Sequence, residues 1–187
     1  MKTCLPQNLT KQKFSNSKGF SLIELIVVMV TMAIVSAIAL PNLLATKRLT
    51  NEASAIQSLR VIAMSEHLYS ASLGGGNYAS LTQLRTAGYI NPILGTSPYR
   101  KDRYLFNIVT TARTASSAAT FTATARPQNH TNSQPILGAG TRDFGTNELG
   151  VLYQTDDATI VSFSATTRLP TGTATPLKQT GGSGAQN

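Results

Sequence analysis

From Leu25 to Leu40 there is no charged side chain, and Glu24 stands alone at the head of that run. The apolar stretch starting at Ser21 is about 20 residues long, the length a helix needs to cross bilayer hydrocarbon. A helix that is apolar on every side is stable only in lipid or in a bundle of its own kind. Ala33, Ser36, Ala37 and Ala39 thread the run, and small residues let neighbouring helices approach closely. An ionised carboxylate just inside an apolar boundary is costly unless something pairs with it. Glu24 is therefore the first candidate functional residue.

The residues entering the run are Lys18-Gly19-Phe20-Ser21-Leu22-Ile23-Glu24-Leu25-Ile26-Val27-Val28. Gly-Phe-x-x-x-Glu directly before such a run resembles the prepilin signature of type IV pilins and of the related type II secretion pseudopilins. The resemblance implies that a dedicated prepilin peptidase cuts after Gly19, that the new amine of Phe20 is methylated, and that Glu24 guides assembly. It implies as partners other copies of the chain in a helical homopolymer, the peptidase, a pilus or secretion assembly machinery, and inner-membrane lipid before assembly. The implied location is the bacterial inner membrane with the N-terminus cytoplasmic, then a surface filament.

The chemistry of these residues can be argued on its own. Cleavage after Gly19 creates a positive amine on Phe20, and residues four apart on a helix share a face. The Glu24 carboxylate can neutralise that amine within one chain or on a neighbouring subunit. A buried carboxylate is tolerated beside its partner and penalised elsewhere, so the pair acts as a register device. Three plainer readings compete. An ordinary secretory signal would use the lysine-rich start and Ala37-Ile38-Ala39 as its cleavage site, but Glu24 would fall inside its apolar region. A plain membrane anchor fits as far as it goes. A lipoprotein is disfavoured because the only cysteine, Cys4, precedes the run.

Five segments follow along the chain: a leader 1–19, a membrane or filament-core helix 20–41, its amphipathic continuation 42–73, a head 74–164, and a tail 165–187 expected to be disordered. Loss of Lys2, Lys11, Lys13 and Lys18 with the leader takes the formal charge from +8 to +4, weak evidence for any partner. Pro41 is expected to kink the helix rather than end it, because helical composition resumes at Asn42. Beyond Lys47, Leu49, Ala53, Ile56, Leu59 and Ala63 define one face at helical spacing, and Val61, Met64 and Leu68 a second. Gly74-Gly75-Gly76 stops the helix. Ser80-Leu81-Thr82-Gln83 has the form of a capping box, opening a short helix that ends near Gly88.

Strand alternation begins at Tyr104 and returns over Thr120–Ala125, with a polar loop Thr111–Ala119 between. Another strand is expected over Val151–Gln154, with Thr159–Phe163 pairing beside it. The tail from Ala165 has little apolar to bury. The fold class is α+β: a long N-terminal helix packed by its second half against a small antiparallel sheet.

Catalytic and cofactor signals are missing. His67 and His130 lack a second ligand at zinc spacing. Asp143, Glu148, Asp156 and Asp157 are oxygen donors of the kind calcium takes, but they follow no loop pattern, so no metal and no cofactor are expected. Arg100, Lys101 and Arg103 alternate with Tyr99 and Tyr104, which reads as a solvated loop anchored by its tyrosines rather than a nucleic-acid contact. Asn129-His130-Thr131 fits a glycosylation sequon. The sequence reads as a structural subunit of a type IV pilus-like filament and not an enzyme. The alternatives are a major pseudopilin of a secretion system and a minor or tip pilin that binds DNA or a surface. Pilins with a C-terminal cysteine pair close a loop that this chain cannot form.

Overall fold

Helix α1 runs from Leu22 to Ser72 and continues through Pro41. The computed structural model describes residues 19–128, 139–156 and 160–177. The chain divides into two compact units at the Leu40–Pro41 junction. In the first, every described residue is exposed. Thr31 and Ser36 donate their hydroxyls to the carbonyls of Val28 and Met32, at 2.9 and 2.7 Å. The polar groups of the apolar run are thus satisfied inside the helix, as lipid requires.

In the second unit α1 ends at the expected glycines, with Gly75 and Gly76 at positive φ. A second helix, α2 (Leu81–Thr86), begins with the expected capping box: Ser80 Oγ accepts from Gln83 N, and Gln83 Oε1 accepts from Ser80 N. It closes on Gly88, φ 78°. There Gly88 N donates to Arg85 O and Tyr89 N to Leu84 O, the paired bonds of a Schellman cap. A single helical turn, α3 (Pro92–Gly95), follows under an Asn91 cap.

Among the described residues eight strands follow: β1 (Arg100–Lys101), β2 (Tyr104–Thr111), β3 (Thr120–Pro127), β4 (Asp143–Asn147), β5 (Tyr153–Thr155), β6 (Ser162–Phe163), β7 (Pro170–Thr171) and β8 (Thr175–Pro176). Six form one antiparallel sheet in the order β1-β2-β3-β4-β5-β8, and β6 pairs with β7 separately. Alternation on β2 and β3 turns Tyr104, Phe106, Phe121, Ala123 and Ala125 inward, where they join Phe144 and α1's Ala55, Leu59 and Ile62 in one core. Leu84 and Leu94 close it at one side. The α+β architecture is as expected.

Three expectations need correction. The buried face of α1 comprises Glu52, Ala55, Ser58, Leu59, Ile62, Ala63, Ser65 and Glu66, while Leu49 and Ala53 are exposed. Polar side chains with partners in the head occupy positions that an apolar count cannot register. Second, β6 pairs with β7 and not with β5, whose free edge is taken by β8. Third, the tail expected to be disordered from Ala165 is ordered as far as Leu177. Arg168 anchors it through hydrogen bonds, its guanidinium meeting both Glu148 oxygens, at 2.5 and 2.6 Å, and the Phe121 carbonyl at 2.9 Å, and Leu177 packs against the core. Residues 178–187 lie outside the described residues, as does the Asn129-His130-Thr131 sequon.

Candidate functional site

The first helical bond places the start of α1: Leu25 N donates to Ser21 O at 3.2 Å. Glu24 therefore sits in the first turn, where the exposed N–H groups of the helix favour a negative charge. Phe20 precedes the first helical residue by two positions and is 82% exposed. In the unprocessed chain its nitrogen is a peptide amide, so the cationic partner for Glu24 exists only after the Gly19–Phe20 bond is cut. A Cβ placed on Gly19 would meet nothing within 4 Å. Among the described residues no packing contact calls for glycine there.

Around Glu24 the surface is continuously apolar. Leu22, Ile23, Leu25, Ile26, Val27 and Val28 are all exposed, and so are the large apolar side chains as far as Leu43. This segment is long and apolar enough to cross a membrane. Exposed apolar patches beyond a few hundred Å² mark an interface or a membrane-facing surface.

Buried carboxylates in the head are the residues that sequence reading missed. Glu52 accepts from Thr141 N at 3.0 Å and from Arg142 Nε at 2.9 Å. Glu66 Oε2 accepts from Ala79 N at 2.8 Å, while Oε1 has no hydrogen-bond partner among the described residues. Burial pushes the Glu66 carboxyl up to about 7, against the lowering effect of the Ala79 bond. On Glu148 burial is again the strongest influence and acts upward, but the hydrogen bonds and charge of Arg168, together with bonds from the backbone N–H groups of Glu148 and Phe121, outweigh it and hold that carboxyl below the usual range. On α1 the available signal was an acid three or four positions from an apolar residue, Glu52 from Ala55 and Glu66 from Ile62, and it reads equally as a solvated face.

The four acids considered for calcium are placed apart in role. Asp143 is buried in β4, Glu148 is held by Arg168, Asp156 lies 4.0 Å from Arg142, and Asp157 is outside the described residues. Among the described residues no group of three or more His, Cys, Asp or Glu is arranged to hold a metal ion. His67 stacks edge-on against Tyr78 and Phe121, at 6.0 and 5.9 Å. Tyr104 is fully buried and donates to Arg142 O, while Lys101 reaches Ser58 on α1.

Residues 14–40 match the family model described as the prokaryotic N-terminal methylation motif. That motif is the signature of type IV pilins and pseudopilins, and it spans Gly19, Phe20 and Glu24. The chain thus carries the type IV pilin and pseudopilin signature in its N-terminal segment. Comparison with curated proteins and with solved structures returned no match.

Proposed function

We infer that this protein is the structural subunit of a type IV pilus-like filament. It waits in the membrane on the apolar half of α1 and polymerises through that same helix once Gly19 is removed. The observation that carries the reading is the exposure of the whole run from Leu22 to Leu43 with one carboxylate, Glu24, in its first turn. Lipid covers such a surface before assembly, and the equivalent helices of neighbouring subunits cover it afterwards. Helix packing of that kind is apolar and non-directional. The amine of Phe20 and the carboxylate of Glu24 supply the direction. The matched motif supports peptidase processing and assembly of this sort.

The test is to shear filaments from cells producing the chain, image them, and identify the subunit by intact mass. The expected result is regular filaments whose principal subunit starts at a methylated Phe20. Export failure without visible filaments, when the gene is removed, would instead assign the chain to a secretion pseudopilus.

A further inference from the structure

Within the second compact unit a groove runs between α1 and the turn that joins β4 to β5. Arg60, Met64 and His67 line it from the helix, at spacings of four and three residues that put them on one face. Val151, Leu152 and Leu177 line it from the side of the sheet. Its volume is about 500 Å³, within the range of about 300–1,000 Å³ usual for small-molecule sites. The walls are held in place. Leu177 N donates to Leu152 O at 2.8 Å, and both side chains pack against the core. Gly150 N donates to Asn147 O at 2.9 Å and takes φ 75°, closing the turn.

The polar groups around the groove divide into spent and unspent. Buried Thr146 donates its hydroxyl to Val151 O at 3.1 Å. Glu148, in the adjoining turn, is held by Arg168, and no acidic residue lines the groove. On α1 the positions three and four from Arg60 are Ile56, Gln57, Ala63 and Met64, none of them acidic. Arg60 is exposed, and its guanidinium meets no hydrogen-bond or ion-pair partner among the described residues. An apolar trough therefore carries one uncompensated positive charge.

We propose that this groove binds an arylalkyl monocarboxylate, with the carboxylate on Arg60 and the apolar body along Met64 toward His67. The guanidinium fork matches a carboxylate in two-point geometry, and one cation balances one negative charge. Arg60 and His67 are separated by about 10 Å along the helix axis, which sets the reach of the ligand body. The exposed Met64 thioether packs favourably on an aromatic ring. His67 is already set edge-on to Tyr78 and Phe121, so the far wall is fixed before a ligand arrives. The site lies wholly within the second unit and is independent of the filament reading above.

The test uses the full chain in zwitterionic detergent, with isotope-labelled methionine methyl groups, titrated with phenylbutanoate at neutral pH and followed by nuclear magnetic resonance. Met64 reports the groove, while Met29 and Met32 in the apolar segment report partition of the ligand into detergent. Met64→Leu identifies the Met64 signal by its loss. In wild type the Met64 signal should shift and saturate while those of Met29 and Met32 stay in place. Arg60→Gln should weaken binding about five-fold or more, the loss of a charge-assisted pair at a partly hydrated site. The neutral phenylbutanamide should bind wild type more weakly than the acid by a similar factor. Arg48→Gln, which removes a charge from the same helix outside the groove, should bind as wild type does. Equal affinity of wild type and Arg60→Gln, or of the acid and its amide, overturns the proposal. So does a Met64 signal that stays still or moves only in step with Met29 and Met32. A Met64 shift that follows protein concentration with no ligand added would mean that a second copy of the chain fills the groove, and overturns it as well. None of these outcomes bears on filament formation, which is read separately from sheared filaments.

Discussion

Glu52 and Arg142 are 90 positions apart and meet as an ion pair that ties α1 to the entrance of β4. The Glu52 side chain is 6% exposed and the Arg142 side chain 32%, so one charge is out of water and the other keeps part of its hydration. Gly140 permits the approach: a Cβ there would run into the Tyr104 hydroxyl and Glu52 Cγ. The pair extends outward through Arg142 Nη1 to Gln154 on β5 at 3.1 Å. One helix and two strands are thereby held in register by a single guanidinium.

Removing one partner of a buried pair costs more than removing both, because a charge is stranded. Arg142→Gln should destabilise the head by about 2 kcal/mol, below the fully buried range because Arg142 is partly hydrated. Glu52→Gln should cost only about 1 kcal/mol, since the neutral amide can still accept from Thr141 N. Urea unfolding of the full chain in detergent measures both. Equal losses would mean that the pair contributes shape rather than charge.

Glu66 gives the head a pH dependence of known sign. Burial raises its folded carboxyl to about 7, above the ordinary value of 4.5 that it keeps in the unfolded chain. The folded state thus holds a proton that the unfolded state has lost, and stability falls as pH rises from about 4.5 to 7. The full effect is about 3 kcal/mol. Glu148, held low by Arg168, acts oppositely as pH falls, so the readout must be a difference between proteins. Glu66→Gln should melt higher than wild type at pH 8 and close to it at pH 5. A constant gap between the two across that range would refute burial as the cause.

Local signals were legible in the sequence where one segment settles its own conformation. Ser80 and Gln83 cap α2 without help from elsewhere, Gly88 ends it, and alternation over β2 and β3 gives their buried face directly. The N-terminal site was legible for a different reason: a lone acid in a long apolar run is rare in any fold. What escaped reading depends on distant partners. β4 reads Asp-Phe-Gly-Thr-Asn and is buried along its length, because it lies mid-sheet and the segment with Val161 and Phe163 covers Gly145 from the outside. Glu52 and Glu66 look like solvated helix positions until Arg142 and Ala79 arrive from beyond. Arg168 looked like part of a polar tail until Glu148 was placed beside it.

Processing between Gly19 and Phe20 is expected to depend on recognition by an outside enzyme, because the fold leaves Gly19 unconstrained. A bulky replacement such as Gly19→Val should accumulate the uncut chain while leaving the melting temperature of the head unchanged. Intact-mass and peptide mass spectrometry distinguish the two forms. A mature terminus at Leu40, after Ala37-Ile38-Ala39, would show that an ordinary signal peptidase had acted instead.

The last prediction concerns Glu24. Replacing it with Ala makes the segment more apolar, so insertion into the membrane should be preserved or improved. The first turn loses a favourable interaction with the helix N-terminus of less than about 1 kcal/mol at an exposed position, too little to unfold α1. Assembly is a different matter. Neighbouring apolar helices can pack in many staggers of similar energy, since hydrophobic contact has no direction. A regular helical polymer needs one repeating heterologous contact. On the proposed reading, the stagger that brings Glu24 to a neighbour's Phe20 amine is favoured because leaving one partner of a buried pair alone costs about 3–5 kcal/mol. With the carboxylate gone, that discrimination disappears and the amine is left without a partner in every register. Filament yield should fall sharply at matched membrane levels of subunit, and any filaments formed should lose helical order in electron micrographs. Glu24→Asp keeps the charge but shortens the reach, and should fall between the two. Normal numbers of ordered filaments from Glu24→Ala would show that register is set by something other than this pair.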